Sequence, residues 1–230
     1  MQAVILAAGR GTRMGKLTES LPKSMLRVAG KNLIEHKLDA LPPEVNEVIL
    51  VVGYLGSVIR DYFGDEYNGK KILYVEQKNP MGGTAEALWL AKDLLHEKFF
   101  VMNGDNIFSA GDMAECMRNQ WAVLVEKRAS VRTGAVVTDA GGRVTSITEN
   151  TGHSGKEGFA NTGLYVLDTR VFDYQPISKA PGSKELGLPQ TFIQATKNVH
   201  IQAVQAHLWV EIKEPVDLEK AEEILAKKQT

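Results

Sequence analysis

The sequence predicts an α/β fold: a mostly parallel sheet flanked by helices, with a smaller β-rich lobe in its second half. Over residues 1–121, apolar runs of strand length alternate with segments of helical spacing. Repeated βα units of this kind imply a parallel sheet covered on both faces. From Ala122 onward, strand-like runs follow one another with turn signals between them, as in antiparallel structure. The length of 230 residues, 43% of them hydrophobic, is enough to bury one sizeable core. No repeat, low-complexity tract or linker interrupts it. The changeover near residue 121 is therefore expected to be a lobe boundary inside a single domain spanning 1–230.

Ala3 to Leu6 reads as a buried first strand, and Glu47 to Val52 as a continuous apolar strand covered on both faces. Ser57 to Phe63 suggests a short helix with Val58, Ile59, Tyr62 and Phe63 on its apolar side, and Lys71 to Glu76 another strand. Thr84 is expected to N-cap a helix in which Ala87, Leu88, Ala91, Leu94 and Leu95 recur at helical spacing. Phe99 to Met102 is a strand that delivers Asn103-Gly104-Asp105 at its C-terminal end, and Asp112-x-x-Glu115 opens a helix in capping-box style. Further strands are expected at Ala122–Lys127, Ala135–Thr138, Val144–Glu149 and Ala160–Leu167, with Asp139-Ala140-Gly141-Gly142-Arg143 as a hairpin connection. Leu188 to Thr196 reads as a helix and Val199 to Glu211 as two strands. Val216 to Lys227 is a closing helix with Leu218, Ala221, Ile224 and Leu225 buried.

Chemistry enters at Leu6-Ala7-Ala8-Gly9-Arg10-Gly11-Thr12-Arg13-Met14, with Pro22-Lys23 close behind. Two glycines let the backbone turn tightly at a strand end, and their neighbouring N–H groups can converge on phosphate oxygens. Arg13 and Lys23 bring positive charge to the same place. A P-loop would require Lys-Ser or Lys-Thr after the second glycine, and a dinucleotide fingerprint a third glycine where Met14 stands. A bare G-x-G is commonly an ordinary turn; Thr12, Arg13, Pro22 and Lys23 together favour a triphosphate site. Asp105, at a strand end, suits Mg²⁺, which takes one or two carboxylates plus substrate oxygens.

The L-A-A-G-x-G-T-R-M motif followed by P-K resembles the sugar-1-phosphate nucleotidyltransferases, or nucleotide-sugar pyrophosphorylases. The resemblance continues through Gln77, Gly83-Thr84-Ala85, Asn103-Gly104-Asp105, Glu149, Asn161-Thr162-Gly163-Leu164-Tyr165, Trp209-Val210-Glu211 and Pro215-Val216-Asp217-Leu218, in the family order. It implies a Rossmann-like sheet in which residues 1–121 bind nucleotide and residues 122–230 form the sugar-binding lobe and closing elements. The implied reaction transfers a nucleotidyl group from a nucleoside triphosphate, UTP or dTTP favoured, to a sugar 1-phosphate, with Mg²⁺ and release of pyrophosphate. Arg13 and Lys23 are then the catalytic cations. Leu6, Ala7, Ala8, Gly9, Gly11, Thr12, Gln77, Gly82, Gly83, Thr84 and Asn103 bind nucleotide. The Gln77 amide, with one acceptor and two donors, can pair with a pyrimidine edge. Gly134, Glu149 and Asn161 match sugar positions, and Asp105 and Glu211 the metal ligands.

The chain departs from the family at several points. Glu211 stands where aspartate is commoner, and Asn150 where many members place a phosphate-contacting Lys, for which Lys156 is a candidate substitute. Pro189-Gln190 replaces a usual Thr-Asp, and the loop Asn79 to Gly83 is a residue longer than in some members. No hexapeptide repeats follow the last helix, so a stand-alone form without the left-handed β-helix acetyltransferase of some relatives is expected. Within the class, the alternative is a cytidylyltransferase for a small phospho-alcohol such as phosphocholine or inositol phosphate. Outside it, a glycosyltransferase would want Asp-x-Asp where Asn103 stands, and a non-catalytic nucleotide-sugar-binding protein would not need Arg13, Lys23 and Asp105 together.

Charge and composition narrow the partners. Lys plus Arg is 27 and Asp plus Glu is 28, net −1, which argues against a nucleic-acid groove or an anionic membrane surface. Cys116 is alone, so an intramolecular disulfide is impossible and a reducing, cytoplasmic setting is expected. The N-terminal apolar run is too short for a signal peptide, and no membrane span is predicted.

Overall fold

The computed structural model describes residues 1–131, 134–148 and 157–228. In its first half, β1 (Gln2–Leu6) is followed by a 3₁₀ turn over Thr12–Thr18 and the small hairpin β2 (Arg27–Val28) and β3 (Lys31–Asn32). The hairpin feeds α1 (Leu33–Ala40), which Asn32 and Glu35 start with a reciprocal capping box. Next come β4 (Glu47–Val52), α2 (Gly56–Phe63), β5 (Glu66–Tyr67), β6 (Lys70–Glu76), α3 (Gly83–Leu90), β7 (Lys98–Asn103), β8 (Asn106–Phe108) and α4 (Ala110–Met117). The second half contributes β9 (Trp121–Arg128), β10 (Ala135–Thr138), β11 (Val144–Thr148), β12 (Gly158–Asp168), α5 (Leu188–Phe192), β13 (Ile201–Gln205), β14 (Trp209–Glu211) and α6 (Val216–Lys228).

Among the described residues, ten strands form one sheet, ordered β11-β10-β12-β7-β1-β4-β6-β5, with β9 against β12 and β13 against β9. The centre is parallel: β1 pairs with β4 and β7, and β4 with β6. Alternation of two is visible in β4 even though both faces are covered. Val48, Leu50 and Val52 pack into one core, and Ile49 and Val51 into the other. That is why the strand reads as an uninterrupted apolar run. The antiparallel pairing of β12 with β7 carries the sheet directly into the second half. The register of β12 against β9 shifts between Asn161 and Tyr165. A bulge of this kind bends a strand and re-aims its side chains, and here it turns Asn161-Thr162-Gly163 into the cleft.

Several local expectations are corrected. Gly82, not Thr84, is the N-cap of α3, because the Thr84 hydroxyl is engaged by the Leu188 N–H at 3.0 Å. That helix stops at Leu90, before Leu94 and Leu95. Ser109 caps α4 by accepting from Asp112 N; Asp112 lies one turn inside, buried and committed elsewhere. Tyr62 and Ile224 face outward, 46% and 39% exposed. The Tyr62 hydroxyl is drawn out to donate to Glu35 Oε1 at 2.9 Å. Among the described residues, no helix is long and apolar enough to cross a membrane.

Candidate active site

Ligands of open α/β sheets bind beyond the C-terminal ends of the strands. There a cleft of about 1070 Å³ runs from the first glycine turn to the bulge in β12. Leu6, Ala7, Ala8, Gly9, Gly11, Thr12, Arg13, Lys23, Gln77, Gly83, Thr84, Asn103, Asp105, Gly134, Asn161 and Glu211 all line it. Residues scattered over two hundred positions are thus gathered by sheet order, because β1, β4, β6 and β7 end side by side. Gly82 does not line the cleft: its carbonyl accepts from Leu186 N at 3.0 Å, which ties the loop before α5 to the start of α3. Of the two glycines, Gly83 is the one at the wall. Glu149, Asn150 and Lys156 lie outside the described residues.

The turn after β1 needs its second glycine. Gly11 has φ +65°, and a Cβ there would come 2.7 Å from Lys23 Cβ. The glycine lets Lys23 cross the loop closely, and its ammonium reaches Asp105 Oδ2 at 2.7 Å. Lys23 follows Pro22 into a short 3₁₀ turn, so the Pro-Lys pair of the motif is a fixed platform.

Asp105 and Glu211 reach the cleft from neighbouring positions. β8 and β14 pair antiparallel with Asn106 opposite Glu211, and Ile212 N donates to Asp105 O at 3.0 Å. The Trp209 indole donates to Asn106 Oδ1 at 3.0 Å, and its ring lies 4.3 Å beneath the Arg128 guanidinium. Glu211 holds Lys213 at 2.8 Å, as Asp105 holds Lys23. Among the described residues no three His, Cys, Asp or Glu side chains cluster as a complete metal cage. Two carboxylates bordering an open cleft are nevertheless the donor set that fits Mg²⁺, which draws its other oxygens from phosphates and water.

Beside the start of α3, the Gln77 amide donates to Gly83 O at 3.1 Å, which steadies it there. On the opposite wall, Asn161 N donates to Gly134 O at 2.7 Å. The Asn161 amide donates to the Tyr165 hydroxyl at 2.8 Å and accepts from Gly163 N at 3.1 Å. Gly134 and Asn161 are therefore one hydrogen-bonded unit.

Sequence reasoning missed residues that hold this geometry. Lys37 of α1 is fully buried, and its ammonium donates to Leu33 O and Gly104 O, each at 3.0 Å. Burial pushes its pKa down to about 7, with Asp105 opposing and Lys23 reinforcing that shift. The signal was its position, since Leu33, Ile34, Leu38 and Leu41 place Lys37 on the apolar face of α1. Asp112 accepts from His207 N and Leu208 N at 3.0 Å and pairs with the His207 ring at 2.7 Å. Burial raises its pKa, but these donors outweigh burial and hold it below the usual carboxylate value. It thereby fixes the approach to β14. Asp217 accepts from Lys213 N and Glu214 N, both at 2.8 Å, and fixes the exit.

Comparison with known proteins agrees with this construction. The family model described as nucleotidyl transferase matches residues 2–228. The chain is 32% identical over 241 residues to the UTP–glucose-1-phosphate uridylyltransferase AglF of Haloferax volcanii, covering all of this chain and 98% of that one. It is 31% identical over 230 residues to the bifunctional protein GlmU of Methanocaldococcus jannaschii, covering 99% of this chain and 55% of the relative. The chain thus spans about half the length of that bifunctional relative. In fold it is similar to a Bacillus anthracis structure described as a putative glucose-1-phosphate thymidylyltransferase (TM-score 0.81, 24% identity, 97% and 94% of the two chains covered). A glycine turn, two cleft carboxylates and a family match over almost every residue lead to one conclusion: the chain belongs to the nucleotidyl transferase family.

Proposed function

We propose that the chain transfers a nucleotidyl group from a nucleoside triphosphate, UTP or dTTP favoured, to a sugar 1-phosphate, releasing pyrophosphate. The observation that carries this reading is the pairing of Lys23 with Asp105 at 2.7 Å beside the Gly9–Gly11 turn, in a cleft that Glu211 also lines. An anion-binding loop, a positioned cation and two carboxylates suit an in-line displacement at an α-phosphorus. Bound Mg²⁺ would neutralise phosphate charge as pyrophosphate leaves, with Asp105 and Glu211 as its protein ligands. Lys23 and Arg13 donate to phosphate oxygens, and the backbone of the glycine turn cradles them. Gln77 reads the base edge, and Gly134 and Asn161 face the sugar. The sugar phosphate oxygen attacks the α-phosphorus directly and pyrophosphate leaves, so no covalent intermediate with the protein is implied. The lone, buried Cys116 fits a reducing cytoplasm.

The test is pyrophosphate release across the common triphosphates and a panel of sugar 1-phosphates. Release that requires both a pyrimidine triphosphate and a sugar phosphate supports the reading; release with triphosphate alone, or none, overturns it.

A further inference from the structure

Among the described residues, one amide side chain of the cleft has both of its polar ends buried and unpaired, and the proposed function does not account for it. Gln190 lies on α5, and both its amide nitrogen and its amide oxygen are closed to solvent without a hydrogen bond. Buried amide groups in folded proteins are almost always paired, and a glutamine offers two donors and two acceptor sites. An orphan at both ends, on the wall of a ligand cleft, is a group waiting for a ligand.

Its surroundings are rigid, so a loosely packed surface helix does not explain it. Leu188 N donates to Thr84 Oγ1 at 3.0 Å, and Thr191 and Phe192 are fully buried. The Phe192 ring meets that of Tyr165 edge-on at 5.1 Å. Tyr165 in turn receives the Asn161 amide, so α5 borders the Gly134–Asn161 wall on one side and the start of α3 on the other. The backbone makes room for the amide as well: a Cβ at Gly187 would overlap Gln190 Oε1.

We infer that Gln190 is a specificity-determining residue that reads the acceptor sugar. Turned out from its place beside Gly187, the amide accepts from one ring substituent through its oxygen while its nitrogen donates to the next. The ligand feature that satisfies both ends is an adjacent donor and acceptor, supplied by a vicinal diol or by an N-acylamino group of a sugar 1-phosphate. This inference rests on the function proposed above and deepens it at the acceptor side.

The test uses Gln190→Met, which keeps the length and removes both polar ends, and Gln190→Glu, which keeps the shape and the acceptor but not the donors. Each is assayed with the sugar 1-phosphate that the wild type uses best, and with the analogues of that sugar lacking one ring substituent at a time. Gln190→Met should lose about tenfold to a hundredfold in kcat/KM for the full substrate. It should also treat one deoxy analogue no worse than the parent, because the discriminating partner is gone. Triphosphate binding, measured calorimetrically, should be unchanged, and the ligand-free variant should melt no lower than wild type, since an unpaired amide has been removed. Gln190→Glu should keep part of the discrimination. Unchanged kcat/KM in Gln190→Met, an equal loss for parent and every deoxy analogue, or weakened triphosphate binding would each overturn the assignment. A wild type inactive with every sugar phosphate would instead bring down the reading on which it rests.

Discussion

Lys37 offers a measurement of what the site costs the fold. Its ammonium is fully buried between Leu33 O and Gly104 O, and burial lowers its pKa from 10.5 to about 7. Between these two values the unfolded chain holds a proton that the folded chain has released. Stability from this group therefore rises with pH across roughly 7 to 10.5, and the whole penalty is present below 7. A shift of that size corresponds to about 5 kcal/mol. Lys37→Met keeps the packing of the stem and removes the charge, but leaves Gly104 O without this donor, at a cost of about 1–3 kcal/mol. The variant should therefore be more stable than wild type at pH 6 by about 2–4 kcal/mol, the gain shrinking as pH rises through 8 and 9. Urea denaturation of both proteins from pH 6 to 9 reads this directly. A stability difference that is flat across the range, or a variant that is weaker at pH 6, would refute the reasoning. Turnover should fall in the same variant, because the Gly104 carbonyl that sets Asp105 is no longer held.

Further outcomes concern the charged groups and the base. Lys23→Ala should cut turnover by about 10²–10³, the typical cost of losing one aimed donor, with the fold intact by circular dichroism; near-normal turnover would remove Lys23 from the mechanism. Asp105→Asn should nearly abolish activity, and Glu211→Ala should weaken Mg²⁺ dependence, whereas an unchanged metal titration would leave Glu211 a structural acid. Gln77 should favour pyrimidine over purine triphosphates, so a strong ATP or GTP preference in the pyrophosphate assay counts against its role at the base. Asp112→Ala leaves the His207 and Leu208 N–H groups without their acceptor and should cost about 1–3 kcal/mol. Because the Asp112 pKa is depressed in the folded state, its stabilisation is present above about pH 4 and is lost as pH falls below that. Melting curves of wild type and variant should therefore converge in acid.

The architecture was legible because each central strand is buried on both faces and so appears as an apolar run. Glu47–Val52 and Lys98–Asn103 could hardly be read otherwise. The motif residues were legible for a different reason, as Gly9, Gly11, Lys23 and Asp105 are constrained by backbone geometry and charge in a short span of sequence. What escaped was of two kinds. Short elements such as β2, β3 and β8 hold two or three residues each, too few for any period to register. Long-range polar clamps also left no local trace: Asp112 sits three residues after its cap and reads as a capping acid, whereas its partners are 95 and 96 positions away. Thr84 was misread by the same mechanism, its hydroxyl drawn off by Leu188, 104 positions later.

The two clamps also explain why the strand that carries Glu211 can be so short. β14 has only three residues, and its pairing with β8 would not by itself fix Glu211 against the pull of Lys213. Asp112 pins the chain just before it and Asp217 just after it, while Ile212 N bonds to Asp105 O between them. Both carboxylates are thus referred to the same piece of backbone, and Lys37 fixes that piece from below through Gly104 O. Lys23 and Lys213 meanwhile lie against the two carboxylates at 2.7 and 2.8 Å, which balances charge that would otherwise repel across the cleft. A divalent cation displacing these ammonium groups would leave both of them beside the incoming phosphates. The same contacts that keep the ligand-free site together therefore hold its cations within reach of the reaction.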